Sequence, residues 1–406
     1  MPHSKKPRKD TETITTETHI QNQQILNLQA QSTLLPGLPS HIARLCLSSL
    51  HPSLLYKVCR SWRRLLDSPD FPPYFSLYAI LCRIPPRSCP PVVGGGLRGQ
   101  LQTHSINLFC FDPISSKWKA LPKPPSDTAT LPLLRRHPSY MSRILPTQSI
   151  TAANKLVVVA ANTETFLPAL DRPLVFDPSS RNWAYGPPLH APRRWCIAGS
   201  VHGSVYVASG IGAQYDGDVA RSIERWDMSK KETDWSWEKV EPFRDGRFSR
   251  EAVEAVGYRG KLCMVSMKGK GIKQGAVYNV RTNKWEDMPN GMLRGWNGPA
   301  TSGDGDGDDV MYVVDEETGS ISTYDGDDDR WDMVIKNSEY LKGADRISAF
   351  KGKLCVVSGD CRKIFVVDVS AKPKKVWVMD PPQGMEVVAA YVLPKMSLPE
   401  SEMFFG

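Results

Sequence analysis

One pattern constrains this chain more than any other: an aromatic residue, then Asp or Asn, then Trp six positions after that Asp or Asn. Phe111-Asp112-Pro113 precedes Trp118, Phe176-Asp177-Pro178 precedes Trp183, Tyr278-Asn279 precedes Trp285, and Tyr324-Asp325 precedes Trp331. Trp226-Asp227 with Trp237 and Val367-Asp368 with Trp377 are looser copies. The six Trp positions are separated by 65, 54, 48, 46 and 46 residues. Self-similarity at a fixed period means that one supersecondary unit repeats and buries its apolar faces against its neighbours. The local physics is that of a hairpin. The aromatic ends one strand, Asp-Pro-Ser-Ser or Asn-Val-Arg-Thr-Asn makes the turn, and Trp returns on the following strand to pack against the next unit.

A second element recurs in step with the first. Segments 154–159, 203–208, 260–265, 310–314 and 352–357 are short, nearly continuous apolar runs, most of them opened by Gly-Lys, Gly-Ser or Asn-Lys. Such runs suit strands covered on both faces. The first repeat lacks a strand of its own before 76–81, a run that matches these second strands. The missing strand lies at the far end of the sequence, in 386–392 (EVVAAYV). We therefore expect the C-terminal strand to close a ring beside the first repeat.

Residues 34–74 have a different texture. Ile42, Leu45, Cys46 and Leu50 follow helical spacing after Ser40, a residue suited to a helix N-cap. His51-Pro52-Ser53 interrupts the run. A second helical stretch carries two stripes, Leu54, Val58, Trp62 and Leu65 on one side and Leu55, Cys59 and Leu66 on the other. A helix with one core needs one stripe. About 40 residues cannot bury two internally, so the surplus apolar face should receive another protein.

Leu38-Pro39, Ile42 and Val58-Cys59-Arg60-Ser61-Trp62-Arg63 resemble an F-box, and the repeat of about 50 residues resembles kelch. Together they make the chain similar to the plant F-box/kelch-repeat proteins. The resemblance departs in one respect: the paired glycines that close the second strand in kelch repeats are mostly absent, with Ser209-Gly210 and Ser358-Gly359 as near matches. It implies an all-β kelch propeller of about six four-stranded blades preceded by a small α-helical F-box. The expected division is a disordered polar tail over 1–33, the F-box over 34–74, the propeller over 75–393 and a C-terminal tail over 394–406.

Composition narrows the function. Nine cysteines, an odd number without a CxxC pair, and an N-terminus without an apolar leader point to reduced thiols in an intracellular protein of nucleus or cytoplasm. Cys263 and Cys355 fall within apolar runs and read as small core residues. No run reaches the roughly 18 apolar residues of a membrane span. Lys5-Lys6-Pro7-Arg8-Lys9 is either a nuclear import signal or a solvated basic tail. Asp304, Asp306, Asp308 and Asp315 echo a calcium loop, but Asp309 stands where Gly is required and the last ligand is Asp, so a solvated turn is the better reading. No catalytic constellation, metal site or cofactor motif emerges.

The net charge of +8 is unevenly spread, because 300–332 holds twelve acids against Arg330 and carries −11, leaving +19 elsewhere. In an up-and-down blade the loops after the fourth and second strands share one end. Arg194, Arg250, Arg294 and Arg346 each stand just before a first strand, and Arg193, Arg244, Arg247 and the lysines of 268–273 join them. That end should be basic. Arginine beside Trp195 and Trp296 has the composition of a binding hot spot. The expected substrate-binding set is therefore Arg194, Trp195, Arg250, Arg294, Trp296 and Arg346.

The function implied is that of a substrate receptor in a Skp-cullin-F-box ubiquitin ligase. Leu38, Pro39, Ile42, Leu50, Leu54, Val58, Cys59, Trp62 and Leu65 would dock the Skp-type adaptor, and through it cullin. The propeller would hold a target protein by an acidic or phosphorylated segment. No bond chemistry, nucleic acid or membrane is involved. The alternative is a kelch scaffold or ligand-binding protein that acts without ubiquitination.

Overall fold

The computed structural model describes residues 34–50, 52–66, 74–83, 104–114, 116–125, 147–162, 167–244, 254–266, 273–303 and 310–396, with a few isolated positions between them. They fall into two compact units, which divide between Tyr74 and Phe75.

The first unit is helical. Helix α1 is Ser40–Ser48, α2 is Pro52–Val58 and α3 is Arg60–Leu66. Pro52 suits the first position of a helix, where its fixed φ fits and its missing N–H is not needed. Ser40 is the first helical residue rather than the cap. Pro39 occupies the N-cap and offers no side-chain acceptor. The second stretch, expected as one helix, breaks at Cys59. Ala43, Leu47, Leu55, Leu65, Leu66 and Phe71 form the buried side of this unit. The Trp62 indole donates Nε1 to the Leu34 carbonyl at 2.8 Å and pins the leading segment to α3.

Among the described residues the second unit is a six-bladed propeller of four antiparallel strands per blade, with Pro132–Leu133 pairing as an extra short strand on blade one. Blade two is Thr147–Ala152, Lys155–Ala161, Leu174–Asp177 and Asn182–Tyr185, and blades three to six repeat that order from Ile197, Glu254, Ala300 and Arg346. Blade one is assembled from both ends of the unit. Met385–Pro394 supplies its innermost strand and pairs with Phe75–Arg83, which pairs with His104–Asp112 and then Lys117–Ala120. The expected ring closure is thus observed.

Small residues let the inner strands converge. Two adjacent pairs of innermost strands touch in parallel, Ala255 beside Gly199 and Gly303 beside Ala349. A Cβ on Gly199 would lie 2.5 Å from the Ala255 carbonyl oxygen, so only glycine fits there. The C-terminal strand is bonded to both neighbours. The Tyr391 and Ser149 hydroxyls meet at 2.9 Å on one side, and Ser348 Oγ donates to the Ala390 carbonyl at 2.7 Å on the other.

The repeated Asp and Trp have separate structural roles. The carboxylate caps its own turn: Asp177 Oδ1 accepts from the Ser179 N–H at 2.8 Å, Asp227 Oδ1 from Ser229 N–H at 3.0 Å, and Asp368 Oδ1 from Ser370 N–H at 3.1 Å. In two blades the second oxygen pairs with the lysine that opens the second strand, Lys155 with Asp177 and Lys353 with Asp368. The Trp indole reaches the preceding blade, not the next one. Trp183 donates to the Pro122 carbonyl at 2.8 Å, Trp237 to Pro187 at 2.9 Å, Trp285 to Glu241 at 3.1 Å and Trp331 to Gly291 at 3.2 Å.

Candidate functional site

Each unit presents its own candidate surface. On the helical unit, the apolar residues divide sharply by exposure, and not along the two stripes that sequence spacing separated. Leu47 and Leu55 are fully inside, whereas Leu54 is 56% and Val58 59% exposed. Leu38, Pro39, Ile42, Leu50 and Cys59 are exposed as well. Leu45 and Tyr56, outside the expected set, are also exposed. Arg63 covers the Tyr56 ring at 4.8 Å and donates Nε to its carbonyl at 2.6 Å. Leu65 is a correction: it lies in the unit's own core because α3 turns that side inward. Trp62 is half-buried and engaged with Leu34. What remains is an apolar surface with a positively charged margin of Lys57, Arg60, Arg63 and Arg64. So many exposed apolar side chains on so small a unit point to an interaction site.

On the propeller, the arginines have diverged in role. Arg193 is buried, and its guanidinium pairs with the buried Glu224, donates Nη1 to Ser222 Oγ at 2.8 Å and to the Ser209 carbonyl at 3.2 Å. Glu224 Oε2 also meets His190 Nδ1 at 2.6 Å. Arg346 is 4% exposed, inside the innermost strand of blade six. Trp296 is 4% exposed and packs with Met292, Ala300 and Met311 between blades four and five. Arg193 braces its blade, and Arg346 and Trp296 are buried; none of the three forms the exposed anchors that sequence suggested. Arg250, Arg247, Lys268 and Lys270 lie outside the described residues.

Arg194 is different. It is half-buried, donates Nη1 to the Gly212 carbonyl at 2.7 Å, and sits 4.8 Å over the Trp195 ring. Burial holds its guanidinium below the ordinary arginine value. Reciprocal main-chain bonds of 2.9 Å join Arg194 to Ile211. They hold Trp195 at φ 51, a conformation a bulky side chain rarely keeps without support, and Trp195 is itself buried rather than the exposed anchor that sequence suggested. Tyr215 on the neighbouring loop is 58% exposed. Arg244 and Arg294 are exposed at the same end of the strands, but the loops there also carry Asp216, Asp218, Glu241, Glu316 and Glu317. Among the described residues this end is of mixed charge rather than basic. The missed signal was Glu224, a lone acid in the otherwise apolar phase of its strand, shared with Trp226.

The axial cavity is about 60 Å³ and is lined by main chain and small residues such as Ser149, Ser200, Thr301 and Ser348. That is far below the roughly 300 Å³ of a small-molecule pocket. Burial pushes the Cys110 thiol up to about 11 and the Cys196 and Cys263 thiols up to about 12, away from nucleophilic use. Among the described residues, no group of three or more His, Cys, Asp or Glu gathers as a metal site, and no helix is long and apolar enough to cross a membrane. The acidic run 304–309, which echoes a calcium loop but reads as a solvated turn, lies outside the described residues. Asp315 caps its own turn, accepting from the Thr318 N–H at 2.8 Å.

The helical unit with an uncovered apolar face and the six-bladed ring define the class. Comparison with known proteins gives the family. The chain is 45% identical to the F-box/kelch-repeat protein SKIP25 of Arabidopsis thaliana, over 91% of this chain and 91% of that protein. It is 25% identical to the F-box/kelch-repeat protein At1g22040 over 80% of this chain and 77% of that protein, and 23% identical to the F-box/kelch-repeat protein SKIP4 over 84% and 86%, both from Arabidopsis thaliana. A family model described as a protein of unknown function (DUF1668) matches residues 102–293. The chain belongs to the F-box/kelch-repeat family.

Proposed function

We propose that this protein is a non-catalytic substrate receptor of a Skp-cullin-F-box ubiquitin ligase. The observation that carries the reading is the exposed apolar face of Leu38, Ile42, Leu50, Leu54 and Val58 on a unit whose own core is made by other residues. A face of that kind is satisfied by a protein partner, and in this family the F-box suits a Skp-type adaptor. The ligase reaction then belongs to the partner enzymes, and this chain contributes proximity.

The target would be held at the loop end of the propeller around Arg194, Tyr215 and Arg294, with Trp195 as the platform beneath Arg194. An acidic or phosphorylated segment would pair with these guanidinium groups through bidentate contacts. Two measurements test the reading. Leu38→Ala with Pro39→Ala should abolish capture of the Skp-type adaptor, and Arg194→Ala with Arg294→Ala should weaken target capture at unchanged melting temperature. Adaptor capture that persists in the first variant contradicts the docking assignment. A fall in stability with target capture intact in the second contradicts the loop-end site.

A further inference from the structure

The fourth strand of blade six, Lys375–Met379, breaks the pattern of the ring. In the other blades the Trp of the outer strand lies opposite the residue that precedes Asp or Asn: Trp118 faces Phe111, Trp183 faces Phe176, Trp237 faces Trp226, Trp285 faces Tyr278 and Trp331 faces Tyr324. In blade six that place is taken by Val376, opposite Val367, and Trp377 stands one position later, opposite Val366. A slip of one residue turns a side chain to the other face of a strand. Trp377 therefore leaves the place its counterparts occupy against the preceding blade.

The result is an uncovered apolar edge. Val376, Trp377 and Val378 are 44%, 44% and 48% exposed, and among the described residues no strand pairs with the outer side of Lys375–Met379. The outer strands of blades two, three and four are shorter and polar at their exposed positions, with Asn182, Glu238, Lys239 and Lys284. Charge on an edge strand is the ordinary device against unwanted pairing, and the centre of this strand lacks it.

The sequence around this edge is self-complementary. In an antiparallel pairing of Lys374-Lys375-Val376-Trp377-Val378-Met379-Asp380 with itself, centred on Trp377, Trp377 meets Trp377, Val376 meets Val378, and Lys375 lays its stem along Met379. Lys374 then stands opposite Asp380, and both side chains are exposed. A two-fold interface requires this reciprocity: residue i meets j and j meets i. We infer that the blade-six edge is a docking site for a second copy of this chain, joined strand to strand about Trp377. A five-residue strand is a small interface, so the dimer should be weak and concentration-dependent. The inference does not depend on which partner the helical unit binds.

The test uses the full chain and register-specific cysteines. Trp377→Cys should form an intermolecular disulfide under mild oxidation, mapped by mass spectrometry to 377 on both copies, because facing Cβ atoms lie about 5 Å apart. Lys375→Cys should not cross-link to itself, since the same register separates the two copies of that position by roughly 13 Å. In sedimentation, Val378→Lys should abolish self-association. Lys374→Asp should weaken it several-fold, and adding Asp380→Lys should restore it. All five positions are exposed, so circular dichroism and the melting temperature should be unchanged. A monomer at every concentration, cross-linking at 375 as readily as at 377, or self-association that survives Val378→Lys overturns the proposal. Capture of an unrelated extended peptide by a monomeric chain overturns it too.

Discussion

Trp118 and Asp380, 262 positions apart in sequence, are joined by a 2.9 Å hydrogen bond from the indole Nε1 to the main-chain carbonyl. The bond has the form seen from blade to blade elsewhere in the ring, and here it closes the circle between blades one and six. Trp118→Phe should lower the unfolding free energy by about 1 kcal/mol, the usual net worth of one such bond. Ending the chain after Gly384 is a harsher change, because it removes the innermost strand of blade one and exposes the edge of Phe75–Arg83. That truncation should abolish the cooperative thermal transition. A truncated chain that melts as sharply and as high as the full one contradicts ring closure by the C-terminal strand.

Arg193 and Glu224 should behave as a structural pair. Removing one partner leaves the other charged and buried, which typically costs about 3–5 kcal/mol. Glu224→Gln and Arg193→Met are each expected to be strongly destabilising in denaturant titration. Arg193→Met with Glu224→Leu should cost less than the two single changes combined. Additive losses would show that the two side chains do not act as a unit.

Acid should weaken the turns through their capped carboxylates. Burial raises the Asp368 carboxyl, but bonds from Lys353 and Ser370 outweigh it and bring the group down to about 2. A folded value below the unfolded one means that its stabilisation is complete above about pH 4–5 and is lost as pH falls toward 2. Asp368→Asn should therefore lower the melting temperature at pH 7 and narrow its difference from wild type between pH 4 and pH 2. A difference that stays constant over that range would show that the carboxylate's charge is not what stabilises the turn.

The repeat was legible because it is local. Asp, the turn after it and Trp lie within a few residues of one another, and six copies reveal the blade count and the donated closing strand. Partners distant in sequence were not legible. Nothing in the order of residues ties Arg193 to Glu224, or buries Arg346 and Trp296, because those contacts form only when neighbouring loops and strands converge. Four arginines at like positions in the repeat therefore read as one surface. In the structure Arg346 is buried, Arg194 is half-buried over Trp195, Arg294 is exposed, and Arg250 lies outside the described residues. Trp377 misled for a related reason: the spacing looks regular, but side-chain direction depends on a register that one residue can invert. The surplus apolar stripe of the helical unit was visible because a stripe without a core is a local fact. Leu65 fell on the wrong side of it because the break at Cys59 reorients α3.

Neighbours on the helical unit should separate docking from folding. Leu54→Glu and Val58→Glu alter exposed side chains and should leave the helical signal intact while reducing adaptor capture more than tenfold. Leu55→Ala, one position away and fully buried, should instead destabilise the unit by about 2–5 kcal/mol. If Leu54→Glu melts the unit, that side is core and the docking face lies elsewhere.

We propose that the helical unit engages the ligase and the propeller engages a target. The most direct measurement is quantitative mass spectrometry of the proteins captured by the full chain and by the Leu54→Glu, Val58→Glu double variant, with the proteasome blocked. The account predicts that a Skp-type adaptor and a cullin are captured by the wild type alone, and that at least one further protein is captured by both chains and is more abundant on the variant. Equal adaptor capture by both chains, or its absence from the wild type, would contradict it.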